Sequence, residues 1–420
     1  MKGKKDSDFI GFQEAFDLTI QSIHPLDTAE IPLSESLGFV SAGDIRAIVD
    51  SPSADVSMKD GYAVRWTDIS GAIQQTPVRL GIEGLAGAGQ GRILSLSPGM
   101  AVRILTGARL PTHADTVIAE ELISYDNAYI EIKEPVPRGQ DILSRGSDVT
   151  KGEVIVESGN ELSPGGIGLL AAGGHHVVSV YRKPTVALIA TGDEVVLPGQ
   201  PLSDGQLYAS NLMTLHAWCR RYGMTTEVQV IPDKESLLKE KLIQTVNGYD
   251  AVITSGGAWT GDRDFMAGAL SDLGWEVIYH RVRLGPGKAV GFGLLQEKPV
   301  FILPGGPPSN LVAFLQLVLP GLLKLSGHNG TGLSQVSAIL EDSVKGQYDW
   351  TDAIFGRLES VDYTVYFHPL KAHSRLKNMA GADALLKIPE GITQISDGQV
   401  VTVDLLTQID NKANGKPRPA

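Results

Sequence analysis

The chain has 420 residues, of which 42% are hydrophobic and 20% are charged, and its formal net charge is -12. This length exceeds one ordinary hydrophobic core, so we expect several domains. The acidic balance argues against electrostatic binding to nucleic acid or to an anionic membrane, although it leaves room for a local site that binds a small anion. Cys219 is the single cysteine of the sequence. An intramolecular disulfide and a cysteine-based zinc site are therefore excluded.

No segment of the sequence predicts targeting to a membrane. The start, MKGKKDSDF, is basic but lacks the apolar core of a signal peptide. The most apolar late stretch, NLVAFLQLVLPGLLKLSG, contains Pro320 and is short for a bilayer span. We expect a cytoplasmic protein that binds neither a membrane nor nucleic acid.

The first part of the chain predicts one helix and then a β-rich region. The stretch IGFQEAFDLTIQSI is typical of an amphipathic helix. From about residue 75 to 160, short β-rich runs are separated by Gly, Pro, Asp and Asn. These runs are GMAVRIL, DTVIAEE, AYIEIKE and GEVIVES. We expect a small β-rich domain here, and the segment VYRKP at 180–184 is its predicted boundary.

Beyond that boundary, predicted strands and helices alternate. The strands are TVALIAT, TEVQVI, DAVITS, EVIYHRV and PVFIL, and the helices are ASNLMTLHAWCRRYG, KESLLKEKLIQTV, DFMAGALSDLG and NLVAFLQLVLPGLLKL. Cys219 lies on the apolar stripe of its helix, which indicates a core position. Repeated β then α predicts a parallel sheet covered by helices on both faces. After about residue 333 a second β-rich segment begins, and the tail NKANGKPRPA is typical of disorder.

The loop after the last of these strands, ILPGGPPSN, has two interpretations. Its prolines fix the backbone and remove N–H donors, while its glycines allow close approach to another group. The loop either only turns the chain into a helix that begins at Ser309 or Asn310, or it forms a rigid wall of a binding site.

Small and acidic residues follow four of the predicted strands. Because ligands bind outside the carboxyl ends of the strands of open α/β sheets, we expect these residues to gather at one edge. Small residues leave backbone N–H groups open to phosphate oxygens, and carboxylates among them favour Mg²⁺ held between protein and phosphate. They are Thr191, Gly192, Asp193 and Glu194; Pro232 and Asp233; Ser255, Gly256, Gly257, Asp262 and Asp264; and Pro304, Gly305, Gly306, Pro307 and Pro308.

Each of these segments alone is also compatible with a structural role. Thr-Gly-Asp-Glu is common at helix N-termini, and Asp233 suits the N-cap of the following helix. Lys288, in GPGKAVGFG, is either the cation for a phosphate or an exposed surface lysine. Asp60-Gly61-Tyr62 and Thr106-Gly107-Ala108 are turns by pattern alone. The shared position at one predicted edge favours the functional interpretation for the segments that follow the strands.

Taken in order, the motifs of this sequence resemble those of a known family. With a dot for any residue, they are DGYAVR, RILTGA..P..AD.VI, RG.D, ATGDEVVLPGQPL.DGQ.Y.SN, SGG...GD.D, PGKA..FG and LPGGPPSN. The ordered set resembles the molybdopterin molybdenumtransferase (MoeA-like) family of molybdenum-cofactor biosynthesis, and it extends from about residue 10 to 405.

The resemblance implies an Mg²⁺-dependent transferase that inserts molybdenum from molybdate into adenylylated molybdopterin and releases AMP. It implies a homodimer, with molybdopterin adenylyltransferase and molybdoenzyme targets as partners. The implied fold combines a parallel α/β sandwich domain similar to molybdopterin adenylyltransferase, a small β-rich domain, an elongated linker domain and a C-terminal β-barrel-like domain. The predicted bounds are 8–45 with 153–183 for the elongated domain, 46–152 for the β-rich domain, 184–332 for the α/β domain, 333–408 for the C-terminal domain and 409–420 for a disordered tail.

The resemblance also implies roles for individual residues. The active cleft of the family lies between the α/β domain and the β-rich domain of the partner subunit. The catalytic residues implied are Asp60, Thr106, Glu194, Asp264 and Lys288, and the metal ligands are Glu194, Asp233 and Asp264. The cofactor-binding residues implied are Asp148, Thr191, Gly192, Asp193, Ser255, Gly256, Gly257, Pro304, Gly305, Gly306 and Pro307.

The sequence departs from the family pattern at several charged positions. Gly285 replaces the first lysine of a Lys-Pro-Gly-Lys motif, Ala209 replaces the acid of Asp-Ser-Asn, and Leu143 lies where the family is rich in arginine. These departures keep alternative functions open. The alternative functions are those of a tungstate-preferring or specialised paralogue, of a molybdopterin-binding or scaffold protein without turnover, and of a nucleotidyl transferase or hydrolase that acts on a pterin or nucleotide.

Overall fold

The structure is a computed structural model that describes residues 9–89, 91–126, 128–257, 265–330, 332–371 and 375–407. The predicted disordered tail, 409–420, and the predicted site residue Asp264 lie outside these residues. The chain divides into two compact units. Unit 1 comprises Met1–Ala29, Gly38–Val40 and Tyr181–Ala420, and unit 2 comprises Glu30–Leu37 and Ser41–Val180. The predicted domain bounds stay a prediction.

Helices and strands are numbered in chain order. The helices are α1 (Phe12–Ser22), α2 (Trp66–Ile69), α3 (Pro164–Ala172), α4 (Ser210–Arg221), α5 (Glu235–Gly248), α6 (Phe265–Asp272), α7 (Pro307–Ala313), α8 (Leu319–Leu325) and α9 (Arg375–Ala380). The strands up to the unit boundary are β1 (Thr28–Pro32), β2 (Ile45–Arg46), β3 (Val56–Ser57), β4 (Gly61–Val64), β5 (Val78–Ala86), β6 (Met100–Ile104), β7 (Thr116–Ala119), β8 (Ser124–Tyr125), β9 (Tyr129–Ile132), β10 (Ile142–Leu143), β11 (Val154–Val156) and β12 (Val177–Tyr181). The later strands are β13 (Thr185–Thr191), β14 (Val195–Val196), β15 (Leu207–Tyr208), β16 (Thr225–Ile231), β17 (Ala251–Ser255), β18 (Glu276–His280), β19 (Leu284–Gly285), β20 (Gly291–Leu295), β21 (Lys298–Leu303), β22 (Gln335–Leu340), β23 (Val344–Lys345), β24 (Thr351–Val361), β25 (Thr364–Pro369), β26 (Ala384–Ile388), β27 (Gln394–Ile395) and β28 (Val400–Leu405).

Unit 2 is built around a mixed six-stranded sheet. The strand order is β7-β4-β6-β5-β9-β8, and β5 and β6 are its parallel pair. Alternate residues of the central strand β4 face different cores, because Tyr62 and Val64 pack in one cluster and Ala63 packs in another. This confirms the predicted β-rich fold. Helix α3 was not among the predicted elements; it begins with Pro164 after Ser163, whose Oγ accepts a hydrogen bond from the Gly166 N–H.

Unit 1 contains the predicted α/β sandwich. Its six-stranded sheet has the order β16-β13-β17-β21-β20-β18, and β16, β13, β17 and β21 run parallel. One face packs against α4 and the helical segment after β21, with Leu188, Leu215 and Phe314 in one buried cluster. The other face packs against α5 and α6, with Ile189 and Leu242 in a second cluster. Both faces are therefore covered, as the near-continuous apolar runs of the strands predict.

Strand β20 was not predicted, and it makes the sheet mixed. Its sequence, GFGLL, continues the glycine-rich stretch that reads as a turn, yet it pairs antiparallel with both β18 and β21. Gly293 shows why glycine is present, because a Cβ there would lie 2.3 Å from the Glu276 carbonyl oxygen and 2.6 Å from Trp275 Nε1. The glycines thus permit close packing inside a strand rather than a turn.

The last helical segment of the sandwich begins earlier than predicted and continues through Pro320. It starts at Pro307, not at Ser309 or Asn310, because proline is favoured in the first turn, where its missing N–H costs nothing. A π-helical turn at Phe314–Val318 separates α7 from α8, and Pro320 lies in the first turn of α8. Pro307–Leu325 is long and apolar enough to span a membrane by length and composition. However, 83% of its most apolar stretch is buried inside the structure, as in a core helix.

The C-terminal part of unit 1 is a closed five-stranded barrel. Its strands follow the order β24-β25-β22-β28-β26, and additional pairing of β26 with β24 closes the ring. Phe367, Leu386 and Val403 are fully or almost fully buried in its interior. The predicted barrel-like domain is confirmed.

Candidate functional site

The carboxyl ends of four parallel strands meet at one edge of the unit 1 sheet. The register pairs Thr191 with Ile231, Ala190 with Ser255, and Ser255 with Leu303. The loops after these strands are therefore neighbours, which is the placement expected from the sequence. We call this edge the strand-end rim. Its described residues are Thr191, Gly192, Asp193, Glu194, Pro232, Asp233, Ser255, Gly256, Gly257 and Pro304–Pro308.

A tight turn after β13 places the Glu194 carboxylate over its own loop. Gly192 has φ 130°, and a Cβ at this position would lie 2.5 Å from Glu194 Oε2. Glycine is therefore required. The Val195 N–H donates to the Gly192 carbonyl at 3.1 Å and closes the turn, while Glu194 stays exposed to solvent.

Asp193 connects the loops of two neighbouring strands. Its Oδ1 accepts a hydrogen bond from the Asp233 N–H at 3.3 Å, and its carbonyl oxygen accepts one from Gln206 Nε2 at 3.2 Å. Asp233 does not cap the following helix; Lys234 occupies the N-cap position, without a side-chain cap. Asp193 and Asp233 are thus two exposed acidic residues held next to each other on the strand-end rim.

These carboxylates suit a metal ion that is shared with a ligand. Within the described ranges, no three His, Cys, Asp or Glu side chains form a group that could hold a metal ion by themselves. Mg²⁺ needs fewer protein ligands, because it keeps several waters and binds one or two carboxylates together with substrate phosphates. Asp193, Glu194 and Asp233 offer exposed oxygens of this kind. The donor set therefore fits Mg²⁺ bridged to a bound phosphate.

Two glycine-containing loops approach each other at the centre of the strand-end rim. Gly256 and Gly257 have φ of 98° and 68°, and the Gly256 N–H donates to the Leu303 carbonyl at 3.0 Å. A Cβ on Gly305 would lie 3.9 Å from Gly256 Cα. The lack of side chains here leaves backbone open to an approaching ligand.

Two asparagine side chains fix the proline-glycine loop. Asn310 Nδ2 donates to the Pro304 carbonyl at 3.0 Å and to Ser255 Oγ at 3.1 Å. Asn211 Nδ2 donates to the Gly305 carbonyl at 2.8 Å and to Ser255 Oγ at 3.2 Å. The loop is thus a turn that two side chains hold in place, and its role as a wall of a binding site stays a prediction. Sequence reasoning assigned neither side chain a role, although an asparagine at the start of an otherwise apolar helix was an available signal.

Lys288 belongs to the same edge of the sheet. It precedes β20, which begins where β21 ends because the two strands are antiparallel, with Gly291 opposite Ile302. Lys288 is exposed, and its carbonyl oxygen accepts from the Val282 N–H at 3.1 Å. This position is compatible with the predicted role as a cation for the ligand.

Gly285, where the family resemblance predicts a lysine, lies beside a carboxylate. A Cβ on Gly285 would be 2.6 Å from Asp352 Oδ1. The other oxygen of Asp352 accepts from the Gln347 N–H at 2.7 Å, which holds the side chain in place. The structure therefore has an acidic group next to the position of the missing cation.

Two predicted site residues of unit 2, Asp60 and Thr106, are joined by hydrogen bonds. Asp60 Oδ1 accepts two hydrogen bonds from Thr106, one from its N–H at 2.7 Å and one from its hydroxyl at 2.8 Å. The Thr106 N–H bond, followed by the hydroxyl bond, lowers the pKa of Asp60 below its usual value. Gly107 completes the turn with φ 74°. Asp60 and Thr106 thus act as one local unit.

Asp148 is exposed in the loop between β10 and β11 of unit 2. Its N–H donates to the Ser51 carbonyl at 2.9 Å, and the Ser51 hydroxyl donates to its Oδ2 at 3.4 Å. Arg145, three residues earlier in the sequence, donates through Nε to Asp50 Oδ2 at 2.6 Å. The pKa of Asp50 is lowered, first by the Lys151 N–H and then by Arg145. The arginine nearest to Asp148 in sequence is therefore already paired.

Comparison with known proteins identifies the family. Residues 10–174 match the MoeA N-terminal region (domain I and II), residues 187–324 match a probable molybdopterin binding domain, and residues 337–406 match the MoeA C-terminal region (domain IV). A relative from Nostoc sp. named molybdopterin molybdenumtransferase is 32% identical over 385 residues, which cover 90% of this chain and 88% of the relative. The chain belongs to the molybdopterin molybdenumtransferase family.

Other molybdopterin molybdenumtransferases and their structures agree with this assignment. A relative from Haemophilus influenzae is 35% identical over 72% of this chain and 74% of its own length, and molybdopterin molybdenumtransferase 2 from Mycobacterium tuberculosis is 32% identical over 90% and 95%. A crystal structure of the molybdopterin biosynthesis MoeA protein from Pyrococcus horikosii has a TM-score of 0.81 and 34% identity, and it covers 96% of this chain and 100% of its own. The predicted family and fold class are confirmed, and the family places the chain in molybdenum-cofactor biosynthesis.

Proposed function

We propose that this chain transfers molybdenum from molybdate to adenylylated molybdopterin and releases AMP. The observation that carries the proposal is the strand-end rim, where strand register brings small-residue loops and exposed carboxylates to one edge. Its chemistry suits a phosphorylated substrate, because glycine-rich loops at strand ends let phosphate oxygens approach the backbone. Three relatives from different organisms carry the name of this transferase activity, which supports the same conclusion.

The reaction requires that several negative charges be brought together. Adenylylated molybdopterin carries a phosphoanhydride, and molybdate is itself an anion. Lys288 supplies a positive charge at the edge of the sheet, and the fixed wall at Pro304 and Gly305 limits where the substrate can lie. Together they favour one orientation of the anhydride.

One or two of the carboxylates of Asp193, Glu194 and Asp233 would hold Mg²⁺ together with substrate phosphate oxygens. When bound, the ion supplies Lewis-acid stabilisation of the charge on the leaving AMP. The hydrogen bond from the Asp233 N–H to Asp193 holds these two carboxylates next to each other, so they would be placed to bind the ion. Asp264, predicted as a further ligand, lies outside the described residues.

The overall chemistry involves no oxidation or reduction. The phosphoanhydride P–O bond is hydrolysed, which consumes one water and gives AMP. Two molybdate oxygens are replaced by the two dithiolene sulfurs, which takes up protons and gives two waters. One water is therefore released for each molybdenum inserted.

We place this activity in a cytoplasmic homodimer that passes its product to molybdoenzyme targets. In this arrangement Asp60 and Thr106 of the partner subunit complete each site. Their direct hydrogen bonds in unit 2 support a shared role, because a change to Asp60 alters the setting of Thr106.

The decisive experiment measures AMP release from adenylylated molybdopterin with the Glu194→Gln variant. The change keeps the shape of the side chain but removes its charge, so we expect AMP release to fall to background while the melting temperature stays unchanged. Glu297→Gln is the matched control, since Glu297 is exposed in the β20–β21 turn at the opposite edge of the sheet. Normal turnover by Glu194→Gln would remove Glu194 from the mechanism.

Omission and exchange of molybdate separate the proposed transferase from its alternatives. AMP release that depends strictly on molybdate supports insertion, whereas equal release without molybdate indicates a hydrolase or nucleotidyl transferase. Faster product formation with tungstate would identify a tungstate-preferring paralogue. Recovery of a molybdoenzyme in a pulldown, with no catalysis by the purified protein, would favour a scaffold.

A further inference from the structure

Ser255 receives two hydrogen bonds at one oxygen. Asn310 Nδ2 lies 3.1 Å from Ser255 Oγ, and Asn211 Nδ2 lies 3.2 Å from the same atom. Ser255 is 7% exposed and Asn310 is 1% exposed, so these two side chains are shielded from bulk water, while Asn211 is partly exposed. Because Asn211 belongs to α4 and Asn310 to α7, the hydroxyl is held from two separate helices.

The direction of these hydrogen bonds is set by the other partners of the amides. Each Nδ2 also contacts a backbone carbonyl, that of Pro304 at 3.0 Å for Asn310 and that of Gly305 at 2.8 Å for Asn211. A carbonyl oxygen only accepts, so the amide atom that faces it must be the nitrogen. The two protons of each nitrogen are then shared between one carbonyl and Ser255.

Ser255 must therefore act as a donor to a third group. A hydroxyl has two acceptor positions and one proton, and the two amides occupy both acceptor positions. The proton can only point in the remaining direction. An acceptor-only oxygen, such as that of a phosphate, is the natural partner for a donor fixed in this way at a strand end.

The geometry points to Asn211 and Asn310 as positioning residues that make Ser255 an obligate hydrogen-bond donor to the phosphoanhydride of the substrate. The inference rests on the proposed function for the identity of that substrate. The resemblance already implies that Ser255 binds the cofactor; the new element is that Asn211 and Asn310 fix the direction in which its hydroxyl donates.

Inorganic pyrophosphate is the binding probe, because it carries the linkage that the adenylylated substrate contains. Calorimetric titration should show about tenfold weaker binding to Ser255→Ala than to the wild type, the effect of one lost hydrogen bond to a charged oxygen. Thermal melting of each variant confirms that it is folded.

A double-mutant cycle isolates the contribution of the asparagines. Asn211→Asp preserves shape but replaces the donor with an acceptor, which draws the Ser255 proton away from the ligand. We expect about tenfold weaker pyrophosphate binding beyond the effect that the same change has in a Ser255→Ala background. Asn247→Asp, on α5 just before β17 at the opposite edge of the sheet, is the matched control and should change binding by less than about twofold.

Asn310→Ala provides a second route to the same conclusion. It frees one acceptor position of the hydroxyl, so the Ser255 proton can point in two directions. Binding should therefore weaken by about twofold more with Ser255 present than in the Ser255→Ala background. The inference would be overturned by equal losses of pyrophosphate binding from Asn211→Asp in both backgrounds. Unchanged pyrophosphate binding to Ser255→Ala, or no binding to the wild type at millimolar concentration, would also overturn it.

Turnover by the same proteins separates this inference from the proposed function. The Ser255 and Asn211 variants should raise KM for adenylylated molybdopterin and leave kcat largely unchanged, because the contact is made on binding. If wild type releases no AMP but the pyrophosphate cycle shows the expected coupling, the proposed function fails and the role of the asparagines stands. If wild type turns over and Ser255→Ala matches it in KM, the role of the asparagines fails and the proposed function stands.

Discussion

Glu194 on the strand-end rim of unit 1 and Asp60 in the Asp60–Thr106 turn of unit 2 use their carboxylates in opposite ways. Asp60 Oδ1 accepts both the N–H and the hydroxyl of Thr106, so this carboxylate shapes the protein itself. The Glu194 carboxylate lies exposed over Gly192 and accepts no hydrogen bond from any described residue. A carboxylate already bound by its own chain positions a neighbour, whereas one held at the surface by a tight turn is available to a ligand.

The largest effect expected from this comparison is that of Gly192→Ala. Alanine at φ 130° is strained, and its Cβ would meet the Glu194 carboxylate at 2.5 Å. We expect a loss of about 1–3 kcal/mol in the free energy of unfolding. Displacement of Glu194 should lower kcat/KM for AMP release by about 100-fold or more. Chemical denaturation and steady-state kinetics measure the two effects.

Gly199→Ala is the control for Gly192→Ala. Gly199 also has a positive φ, 94°, but nothing lies within 4 Å of a Cβ at that position. The Gly199→Ala variant should lose a similar free energy of unfolding to Gly192→Ala but keep most of the AMP-releasing activity. Equal losses of activity in both variants would show that the Glu194 turn has no special role.

Asp60→Ala should have a smaller effect on catalysis, because Asp60 acts through Thr106. We expect kcat/KM to fall by roughly 10- to 100-fold through misplacement of the Thr106 hydroxyl. Thr106→Ala should reduce activity by a similar factor, and the double variant should lose little more, since the two residues act as one unit. Full additivity of the two losses would contradict this role.

The same pair predicts a pH dependence of stability. The folded-state pKa of Asp60 lies below its ordinary value of 3.8. The stability that the ionised Asp60 carboxylate adds to the folded protein is therefore complete above pH 3.8. It is lost as the pH falls through the lower, folded-state pKa. The difference in melting temperature between wild type and Asp60→Ala should be constant near neutral pH and should shrink below pH 3.8. A difference that is unchanged in acid would show that the charge of Asp60 does not matter.

Gly285→Lys is expected to have the smallest effect. The new side chain would crowd Asp352 Oδ1, so Asp352 must move away from Gln347 at a cost of about 1 kcal/mol in the free energy of unfolding. Asp352→Ala should remove most of that cost in the double variant. The added cation should lower KM for molybdate by no more than about fivefold, since the charge is solvated and near a carboxylate. A rise in KM would show that the glycine is favourable for this substrate.

The sequence predicted those elements of the fold whose burial leaves a clear periodic pattern. Helix α1 is one example, because Phe12, Ala15, Phe16 and Thr19 lie on its covered side. Helix α4 is another, with Leu212, Leu215 and Cys219 fully buried. Burial raises the pKa of the Cys219 thiol to about 12, which agrees with the predicted core role. Strand β20 and helix α3 were missed because their glycines, and in α3 a leading proline, read locally as turns.

The candidate site was predictable where it depends on strand order and unpredictable where it depends on side-chain contacts over long sequence distances. The loops after β13, β17 and β21 were expected at one edge, since parallel strands bring their carboxyl ends together. The link from Asn310 back to Ser255 joins residues 55 positions apart and leaves no periodic signal. The neighbourhood of Gly285 and Asp352 likewise becomes visible only once the barrel strand β24 pairs with β19.

The buried network around Asp404 makes the barrel part of the same cooperative fold as the α/β sandwich. Asp404 is 3% exposed and accepts hydrogen bonds from Gln316, in the π-helical turn, and from Gln335. Phe355 and Leu385 of the barrel share one core cluster with Phe314 of that turn. A chain cut after Leu325 would expose Gln316 and the apolar surface around it to water. The stability of the sandwich therefore draws on strands that come after it in the chain.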